Sequence, residues 1–295
     1  MIHTDNFGKL LEPGLRKLFF EGYREKPEEF SKVFNVMNSK KAQEHDYHVS
    51  GFSEWTVKEQ GGDIDEEDPT SGQEVTYTHT SYAKMIKITR EMFDDDQYNI
   101  INKMPKKLGK GGKAVVEQTA AAVLNNGFTT NGYDGEPLFD NAHPLLNSSV
   151  TDDNLTTGAL SDTNLKLGLT LMTKQLDQAG LKIQATAKNL IIPPELEWTA
   201  MTLMQSVLQA GTDSNDKNVI KSRLKIIIMS YLTSATAWFL QDPSLSELNF
   251  FWRVKPEFKG DEQFTNMVAR YRGYLRFSVG YSDYRGLVGS AGTAG

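Results

Sequence analysis

The sequence predicts an α+β fold made of a long β-hairpin, a long helix and a mixed α/β region that ends in strands. Three observations predict it. Alternating apolar and polar residues flank an acidic, glycine-containing turn between residues 50 and 88. A lysine- and alanine-rich stretch with an apolar stripe follows over residues 89–126. Later, helical patterns alternate with short apolar runs, and strand-like alternation returns over residues 264–281.

The composition bounds the class of protein. Hydrophobic residues make up 39% of the 295 residues, enough for the core of one large domain or two modest ones. The formal net charge of -6 argues against a protein that mainly grips nucleic acid, which needs clustered excess Lys and Arg. It allows a protein that encloses nucleic acid. The chain has no cysteine, which excludes disulfides, thiolate catalysis and cysteine-ligated metals.

The sequence shows no targeting signal. The first residues have no basic stretch followed by an apolar one, so we expect no signal peptide. The longest apolar run, around Leu224–Met229, is far shorter than the ~20 residues that a bilayer span needs. We therefore expect a protein that is made in the cytoplasm and has no membrane partner.

Residues 1–49 are predicted to form an arm with short helices. Apolar residues recur at helical spacing at Phe7, Leu10, Leu11, Leu15, Leu18 and Phe19. Pro13 and Gly14 interrupt this stripe, which predicts a kink or two short helices. A second short helix is predicted from Pro27, with Phe30, Val33 and Phe34 on one face. The arm packs either on its own core or on a neighbouring subunit.

Residues 50–88 are predicted to form an extended hairpin. One strand is expected around Trp55 and Val57 and the other from Val75 to Ile86, with the turn at Glu59–Gly72. An arm of roughly fourteen residues spans about 45 Å, whereas a compact chain of this length has a radius of gyration near ~19 Å. The hairpin therefore either belongs to an ordinary sheet or projects towards a partner, for which a second copy is the natural candidate.

Residues 89–126 are predicted to be helical. Thr89 is the expected N-cap, and Glu91 and Asp94–Asp96 lie near the positive helix end. Pro105 is expected to start a second, longer helix that stops at Asn126-Gly127. Gly109, Gly111 and Gly112 should weaken its first half by up to ~1 kcal/mol each.

The remaining chain is predicted to be a loop over residues 127–160 followed by mixed α/β structure. Helices are expected from Ser161 to about Gln178 and from Leu196 to Leu208, with a polar loop at Gly211–Asn218. Strands are expected at Asn189–Ile192, Leu224–Met229, Ala237–Leu240, Phe250–Val254 and Phe264–Tyr281.

The sequence contains no complete enzyme or metal-binding motif among those considered below. Gly109–Lys113 resembles a phosphate loop, but Lys113 is followed by Ala114 and the segment lies within a predicted helix. His45 and His48 are better explained by a surface strand than by a metal pair. Neither Gly-x-Ser-x-Gly nor His-Glu-x-x-His occurs. We expect no enzyme activity, no cofactor and no metal.

Two charge clusters are candidates for contacts between subunits. The tip acids are Asp63, Asp65, Glu66, Glu67 and Asp68, and the lysine face comprises Lys103, Lys106, Lys107, Lys110 and Lys113. They are either two solvated faces or a pair that docks between two copies of the chain. Single exposed ion pairs contribute only ~0–1 kcal/mol, but a network of them sets register and partner choice.

The order of these elements resembles the Hong Kong 97-type capsid fold, and four short segments resemble the Mu-like major head subunits. The segments are Ile88-Thr89-Arg90-Glu91 with Asp94-Asp95, Asp134-Gly135 with Leu138-Phe139 and His143-Pro144, Leu190-Ile191-Ile192-Pro193 with Leu196-Glu197, and Trp238-Phe239-Leu240. They extend over residues 84–280.

The resemblance implies a role for each region of the chain. Residues 1–49 would be the N-terminal arm, 50–88 the extended loop, 89–160 the peripheral domain with its spine helix, 161–265 the axial domain, and 266–295 the return strands and tail. Gly211–Asn218 would be an axial loop. Lys58 and Lys84 lie in the hairpin, but nothing singles out an acceptor, so no crosslink is predicted.

The implied function is self-assembly, as pentamers and hexamers, into an icosahedral shell around phage double-stranded DNA. Because the hairpin begins near residue 50, we expect no N-terminal scaffolding segment and a separate scaffolding protein instead. A portal protein and a decoration or cement protein are further implied partners, and the protein would be found in the virion after assembly in the host cytoplasm. Two alternatives stay open: an encapsulin-like nanocompartment shell and a soluble α+β enzyme.

Overall fold

The computed structural model describes residues 7–96, 99–146, 150–206, 220–263 and 268–292. The predicted loop Gly211–Asn218, together with Val207 and Leu208, lies outside these ranges. The helices are α1 (Phe7–Tyr23), α2 (Arg90–Asp94), α3 (Ile100–Asn125), α4 (Asp162–Lys174) and α5 (Glu197–Gln205), with short 3-10 helices at Phe30–Lys32 and Pro194–Leu196. The strands are β1 (Asn35–Asn38), β2 (Gln43–Val49), β3 (Ser71–Thr78), β4 (Thr80–Thr89), β5 (His143–Pro144), β6 (Thr151–Asp152), β7 (Leu155–Thr156), β8 (Asn189–Ile192), β9 (Lys225–Ile228), β10 (Trp238–Gln241), β11 (Leu248–Gln263), β12 (Val268–Tyr281) and β13 (Leu287–Ser290).

A four-stranded sheet in the order β1-β11-β12-β4 carries α1 and α3. Alternate residues of β12 are buried, including Tyr271, Leu275 and Phe277, which confirms the alternation predicted from the sequence. A Cβ built on Gly273 would lie 3.1 Å from the Phe19 ring of α1 and 3.5 Å from Leu108 of α3. This face of the sheet therefore holds both helices.

A five-stranded sheet in the order β7-β13-β10-β8-β9 lies beside α4 and α5. Its three central strands, β13, β10 and β8, are buried on both faces. Leu190 and Ile192 of β8 pack with the α4 and α5 side chains, whereas Ile191 joins the core shared with α3 and the first sheet. This explains why β8 and β10 are short, continuous apolar runs, as predicted.

The helix starts depend on local caps. Thr89 Oγ1 accepts a hydrogen bond from Met92 N, and Ser161 Oγ accepts one from Asn164 N, which confirms both predicted N-caps. The predicted start of the long helix at Pro105 is wrong, because α3 begins five residues earlier, at Ile100. The Asp96 carboxylate caps this start by accepting hydrogen bonds from the N–H groups of Ile100 and Ile101 at 2.8 and 3.1 Å. The predicted alternative of two short helices interrupted at Pro13 is also wrong. α1 continues through this residue as one helix, and burial of Leu15 and Phe19 against the sheet holds it in place.

The second strand of the predicted hairpin is confirmed in part, because residues 75–78 and 80–86 lie in β3 and β4, but the predicted first strand is wrong. β2 pairs with β3, placing Gln43 opposite Thr78 and Val49 opposite Ser71, and the segment around Trp55 and Val57 is not a strand. Trp55 and Val57 are 93% and 94% exposed, so their alternation does not reflect burial in this chain. We call β2 and β3 the ribbon and the connecting residues 50–70 the tip. β4 leaves the ribbon after His79 and joins the first sheet through β12.

No helix in the described ranges has the length and apolar character to cross a lipid bilayer. Within its described residues, 127–146 and 150–160, the expected loop contains three two-residue strands, β5, β6 and β7. α4 ends at Lys174, four residues before its expected end.

Candidate subunit-contact surface

The tip is held together by a few polar contacts of its own. Ser50 N donates to Thr70 O, which closes the ribbon. Further out, Ser53 donates to the Glu67 carboxylate from both its backbone N–H and its hydroxyl, at 2.8 and 2.7 Å, and Thr56 Oγ1 donates to Asp65 at 2.8 Å. Between residues 51 and 69, all described, the one backbone–backbone hydrogen bond joins Gly62 N to Glu59 O. Most tip N–H and C=O groups are therefore without a partner from this chain.

All five tip acids are exposed. Asp65 and Glu67 accept the tip hydrogen bonds just described. Within the described residues, the carboxylates of Asp63, Glu66 and Asp68 make neither a hydrogen bond nor an ion pair. These three are therefore the tip acids that can meet another molecule without breaking the tip.

The lysine face is partly neutralised by acids that belong to, or directly follow, α1. Lys106 Nζ lies 3.2 Å from Glu21, Lys110 Nζ 2.8 Å from Glu25, and Lys113 Nζ 3.2 Å from Glu28 and 3.1 Å from Glu117. Lys113 is buried, so its predicted place on an exposed docking face is wrong. Lys103 and Lys107 are exposed.

The ribbon is attached to the rest of the subunit at both of its ends by aromatic and polar contacts. His48 Nε2 donates to Ser282 O at 2.6 Å, and its ring stacks on Tyr133 with the centroids 4.2 Å apart. Tyr77 Oη lies 2.7 Å from Ser282 Oγ, and burial raises the pKa of Tyr77 to about 12. These contacts hold the ribbon against the subunit at both ends.

His79, at the junction of β3 and β4, is bonded on both ring nitrogens. Nε2 lies 3.0 Å from Ser39 Oγ and Nδ1 lies 2.9 Å from Ser278 Oγ. Because Ser39 Oγ donates to Glu44 at 2.7 Å, it accepts from Nε2–H, and Nδ1 accepts from the Ser278 hydroxyl. The neutral imidazole therefore satisfies every partner.

Acid should weaken this junction. Burial, with repulsion from Arg276, lowers the pKa of His79 below its ordinary value. The stabilisation from neutral His79 is therefore complete above pH ~6.5 and is lost as the pH falls towards the lowered pKa. Urea unfolding at about pH 7.5 and about pH 5.5 should show a smaller loss of stability for His79→Gln than for the parent chain. Equal losses for the two proteins would contradict this assignment.

One of the segments that carry the family resemblance contains a buried histidine, His143, which is paired with Asp134. His143 Nδ1 lies 2.6 Å from Asp134 Oδ2, Nε2 lies 3.2 Å from Asn154 Oδ1, and the ring stacks on Tyr284 at 3.7 Å. His143 is fully buried, so this pair fastens the loop between α3 and α4 and is not open to a substrate.

The described residues contain no cluster of three His, Asp or Glu side chains suited to a metal ion. His45 lies on β2 and pairs with Glu74 across the ribbon, in agreement with the predicted surface strand. Gly109–Lys113 lies inside α3, so it cannot form a phosphate-binding loop.

Sequence reasoning missed two parts of this surface. The first is the pairing of β2: a surface strand was predicted at His45 and His48, but the β-prone stretch of β3 was paired with the segment around Trp55 instead. The pairing of the lysine face with α1 had a clearer signal, because Glu21, Glu25 and Glu28 have the same i, i+4, i+7 spacing as Lys106, Lys110 and Lys113.

Comparison with known proteins gives consistent matches. Residues 72–290 match the sequence profile of a family described as phage capsid protein. The major capsid protein of Escherichia phage Mu is 25% identical over 149 residues, which are 49% of this chain and 47% of that protein. The chain spans about half the length of the curated relatives it matches.

Two solved structures illustrate the structural likeness. The capsid protein of bacteriophage JBD30 matches with a TM-score of 0.59 and 15% identity over 70% of this chain and 92% of that one. The virus-like particle from Pyrococcus furiosus matches with a TM-score of 0.55 and 11% identity over 94% and 97% of the two chains. At such identities the likeness shows the fold alone, and it confirms the Hong Kong 97-type α+β fold that the sequence predicted.

Proposed function

This chain belongs to the phage capsid protein family, and from that premise we propose that it is a major head subunit that assembles with copies of itself into an icosahedral shell around double-stranded DNA. The observation that carries the proposal is the tip. Phe52, Trp55, Val57 and Ile64 are all more than half exposed, on a segment that the subunit itself does not cover. An exposed apolar group of this kind marks an interaction surface.

Burial of the tip against a second copy supplies a driving force for assembly. Covering an aromatic or β-branched side chain stabilises an interface by ~1.5–3 kcal/mol. Because the tip and the surface that receives it differ, the contact is heterologous, and it closes into rings when the rotation between copies allows. Such rings are the proposed pentamers and hexamers.

The tip acids supply the specificity of the proposed contact. Asp63, Glu66 and Asp68 of one copy face Lys103 and Lys107 of the next, and Asp65 and Glu67 contribute charge while they hold the tip. Lys103, Lys106 and Lys110 take part by exchanging or sharing partners that they already have within their own subunit. Complementary charge of this kind sets register and association rate more than affinity.

A charge-reversal series tests this contact. We expect Asp63→Lys, Glu66→Lys and Asp68→Lys together to abolish shells seen by negative-stain microscopy, with unfolding of the subunit unchanged. Adding Lys103→Glu and Lys107→Glu to the same chain should restore shells at least in part, because the three new lysines of the tip then face two new carboxylates. Normal shells from the triple variant, or no rescue, would contradict the charge pairing. A parent chain that stays monomeric or dimeric under all conditions would contradict the head-subunit function itself.

The domain roles and other partners belong to the same proposal. Residues 1–49, 50–88, 89–160, 161–265 and 266–295 are the proposed arm, extended loop, peripheral domain, axial domain and return strands. A separate scaffolding protein, a portal protein and a decoration or cement protein are the proposed partners. The decorated state of the JBD30 capsid, with its minor capsid protein trimers, supports the last of these. Assembly takes place in the host cytoplasm, and the product is part of the virion.

An encapsulin-like nanocompartment is the second candidate. The likeness to the Pyrococcus furiosus particle, over 97% of that chain, favours it. The contents of purified particles decide between the two: nuclease-protected double-stranded DNA supports the phage head, and a protein cargo without DNA supports the compartment.

A further inference from the structure

The ribbon connects the first sheet to the segments on either side of α4. Its base continues through His79 into β4. At its outer end, a Cβ built on Gly72 would lie 2.7 Å from Leu146 Cδ1, in the segment before α4. A Cβ built on Gly51 would lie 3.9 Å from Ala179 Cβ, in the segment after α4. The ribbon is therefore placed like a strap, fixed at its base and in contact with the subunit at its far end.

The side of β2 that faces the rest of the subunit is polar. Its half-buried residues alternate along the strand and are Glu44, Asp46 and His48. Glu44 accepts a hydrogen bond from Ser39 Oγ, and His48 Nε2 donates to Ser282 O. Among the described residues, the Asp46 carboxylate accepts no hydrogen bond and makes no ion pair. Asp46 is therefore the one residue on this side of β2 whose side chain has no favourable polar partner there.

Glu247 approaches Asp46 from the rest of the subunit. It directly precedes β11, and its half-buried carboxylate also has neither a hydrogen bond nor an ion pair within the described ranges. The titratable and charged groups around it are Asp46 and His48 of β2, Tyr77 of β3, and Asp283 and Arg285 of the loop after β12. Arg285 Nη1 already donates to both oxygens of Asp283 at 3.0 Å. We call Asp46 and Glu247 the latch.

The surroundings of Glu247 make the contact sensitive to pH. Burial raises the pKa of Glu247, and repulsion from Asp283 and Asp46 raises it further, whereas His48 and Arg285 lower it. The raised pKa belongs to the docked ribbon, since release of the ribbon exposes Glu247 to water and removes Asp46. Docking is therefore strongest at acid pH and weakens as the pH rises through the raised pKa. Each unit of pKa difference between the docked and released states changes the docking equilibrium about tenfold.

We propose that the ribbon is a pH-sensitive strap, whose contact with its own subunit closes when Glu247 is protonated and opens when Glu247 and Asp46 are both charged. The geometry supports this, because two half-buried carboxylates without partners lie at one contact whose other polar members are paired. The inference goes beyond the proposed function, since it concerns a switch within one subunit and holds whether or not shells form. Because the ribbon carries the tip, an open latch frees the tip to move.

Spin-label distances test the latch, and the chain has no native cysteine to interfere. Val49→Cys on the ribbon and Leu167→Cys on α4 offer exposed positions for the two labels. In the unassembled chain we expect one narrow distance at about pH 5 and an additional broad population at about pH 8. With Glu247→Gln the narrow distance should persist at both pH values, because the amide cannot become charged. Identical distances for the parent at both pH values would overturn the proposal.

Two control variants assign the titration to Glu247. His48→Gln keeps a donor for Ser282 O but cannot gain a charge, so the pH dependence of the parent should remain. Asp63→Asn removes the same charge from the exposed tip and should behave like the parent. If His48→Gln abolished the pH dependence and Glu247→Gln kept it, the latch would be assigned wrongly. His79 cannot produce the expected change, because acid weakens its junction and would release the ribbon at low pH.

An engineered disulfide measures the latch at constant pH. Gly51→Cys and Ala179→Cys place two Cβ atoms 3.9 Å apart, as a disulfide requires. In a glutathione buffer at about pH 7.5, the fraction of internally linked chain reports how often the ribbon is docked. Glu247→Gln and Asp46→Asn should each raise the effective concentration of the two thiols, by up to about tenfold for each unit of pKa difference. Asp63→Asn should leave it unchanged, and equal linking in all variants and the parent would overturn the latch.

Discussion

Replacement of Glu117 by alanine is expected to lower the free energy of unfolding by about 3–5 kcal/mol, as removal of one partner from a buried ion pair does. Glu117 and Lys113 have side chains that are only 6% and 10% exposed, with Nζ and Oε1 3.1 Å apart. The Glu117 carboxylate also accepts the backbone N–H groups of Glu29 and Phe30 at 3.0 and 2.9 Å. The alanine variant leaves a buried ammonium short of a partner and releases the arm from α3.

Urea unfolding of the unassembled chain measures this effect. Glu25→Ala is the control. It removes the ion pair between Glu25 and Lys110, which also joins the arm to α3, but the side chains of both residues are largely exposed. We expect no measurable loss of stability in this control. An equal loss in the two variants would show that burial at Glu117 is unimportant.

The double variant Lys113→Met/Glu117→Leu separates charge from hydrogen bonding. An apolar replacement of both charges removes the buried ammonium, which Glu117→Ala leaves with Glu28 as its remaining acidic partner, so it should recover part of the loss. It still leaves the N–H groups of Glu29 and Phe30 without an acceptor, which should cost ~1–3 kcal/mol. Full recovery would mean that those backbone groups find water instead.

The parts of the fold that the sequence predicted are those set by neighbouring residues. The N-caps at Thr89 and Ser161 act within three residues of themselves, and the alternation of β12 follows from one buried face. The apolar run of β8 is likewise explained by burial on both faces. In each case the chemistry that fixes the element is visible in a short window.

The strand pairings that the sequence did not predict depend on residues far away in the chain. β2 is a polar strand, and it is a strand because β3 pairs with it. β11 continues past Pro256 because β12 pairs with it as far as Gln263, with register shifts between Trp252 and Glu257 that accommodate the proline. Pattern within the segment could not reveal either pairing.

The candidate contact residues of the tip also fall into a predictable group and an unpredictable one. Exposure of the tip acids was predictable from their density of charge. The apolar residues Trp55 and Val57 misled the strand prediction, because alternation was taken as a sign of burial within one chain. Under the proposed function, the same alternation is explained by burial between copies of the chain.

The close approach of α1 to α3 gives the second large expected effect, a loss of about 1–3 kcal/mol for Gly109→Ala. A Cβ at Gly109 would lie 2.1 Å from Phe19 O and 2.9 Å from Tyr23 N, and one at Gly22 would lie 2.1 Å from Lys106 O. All these contacts are with backbone atoms, so no side chain can rotate away and the helices must separate. Separation also loosens the packing of Phe19 and Leu108 beneath the two helices.

Gly111→Ala is the matched control, two residues along the same helix. Its Cβ meets open space, so alanine should stabilise the unassembled chain by ~0.5–1 kcal/mol through helix propensity alone. The test is therefore the sign of the change in urea midpoint, which should be opposite for the two substitutions. If both variants gained stability, α1 and α3 would not be in backbone contact at Gly109. A loss of stability in Gly22→Ala as well would show the same backbone contact from the α1 side.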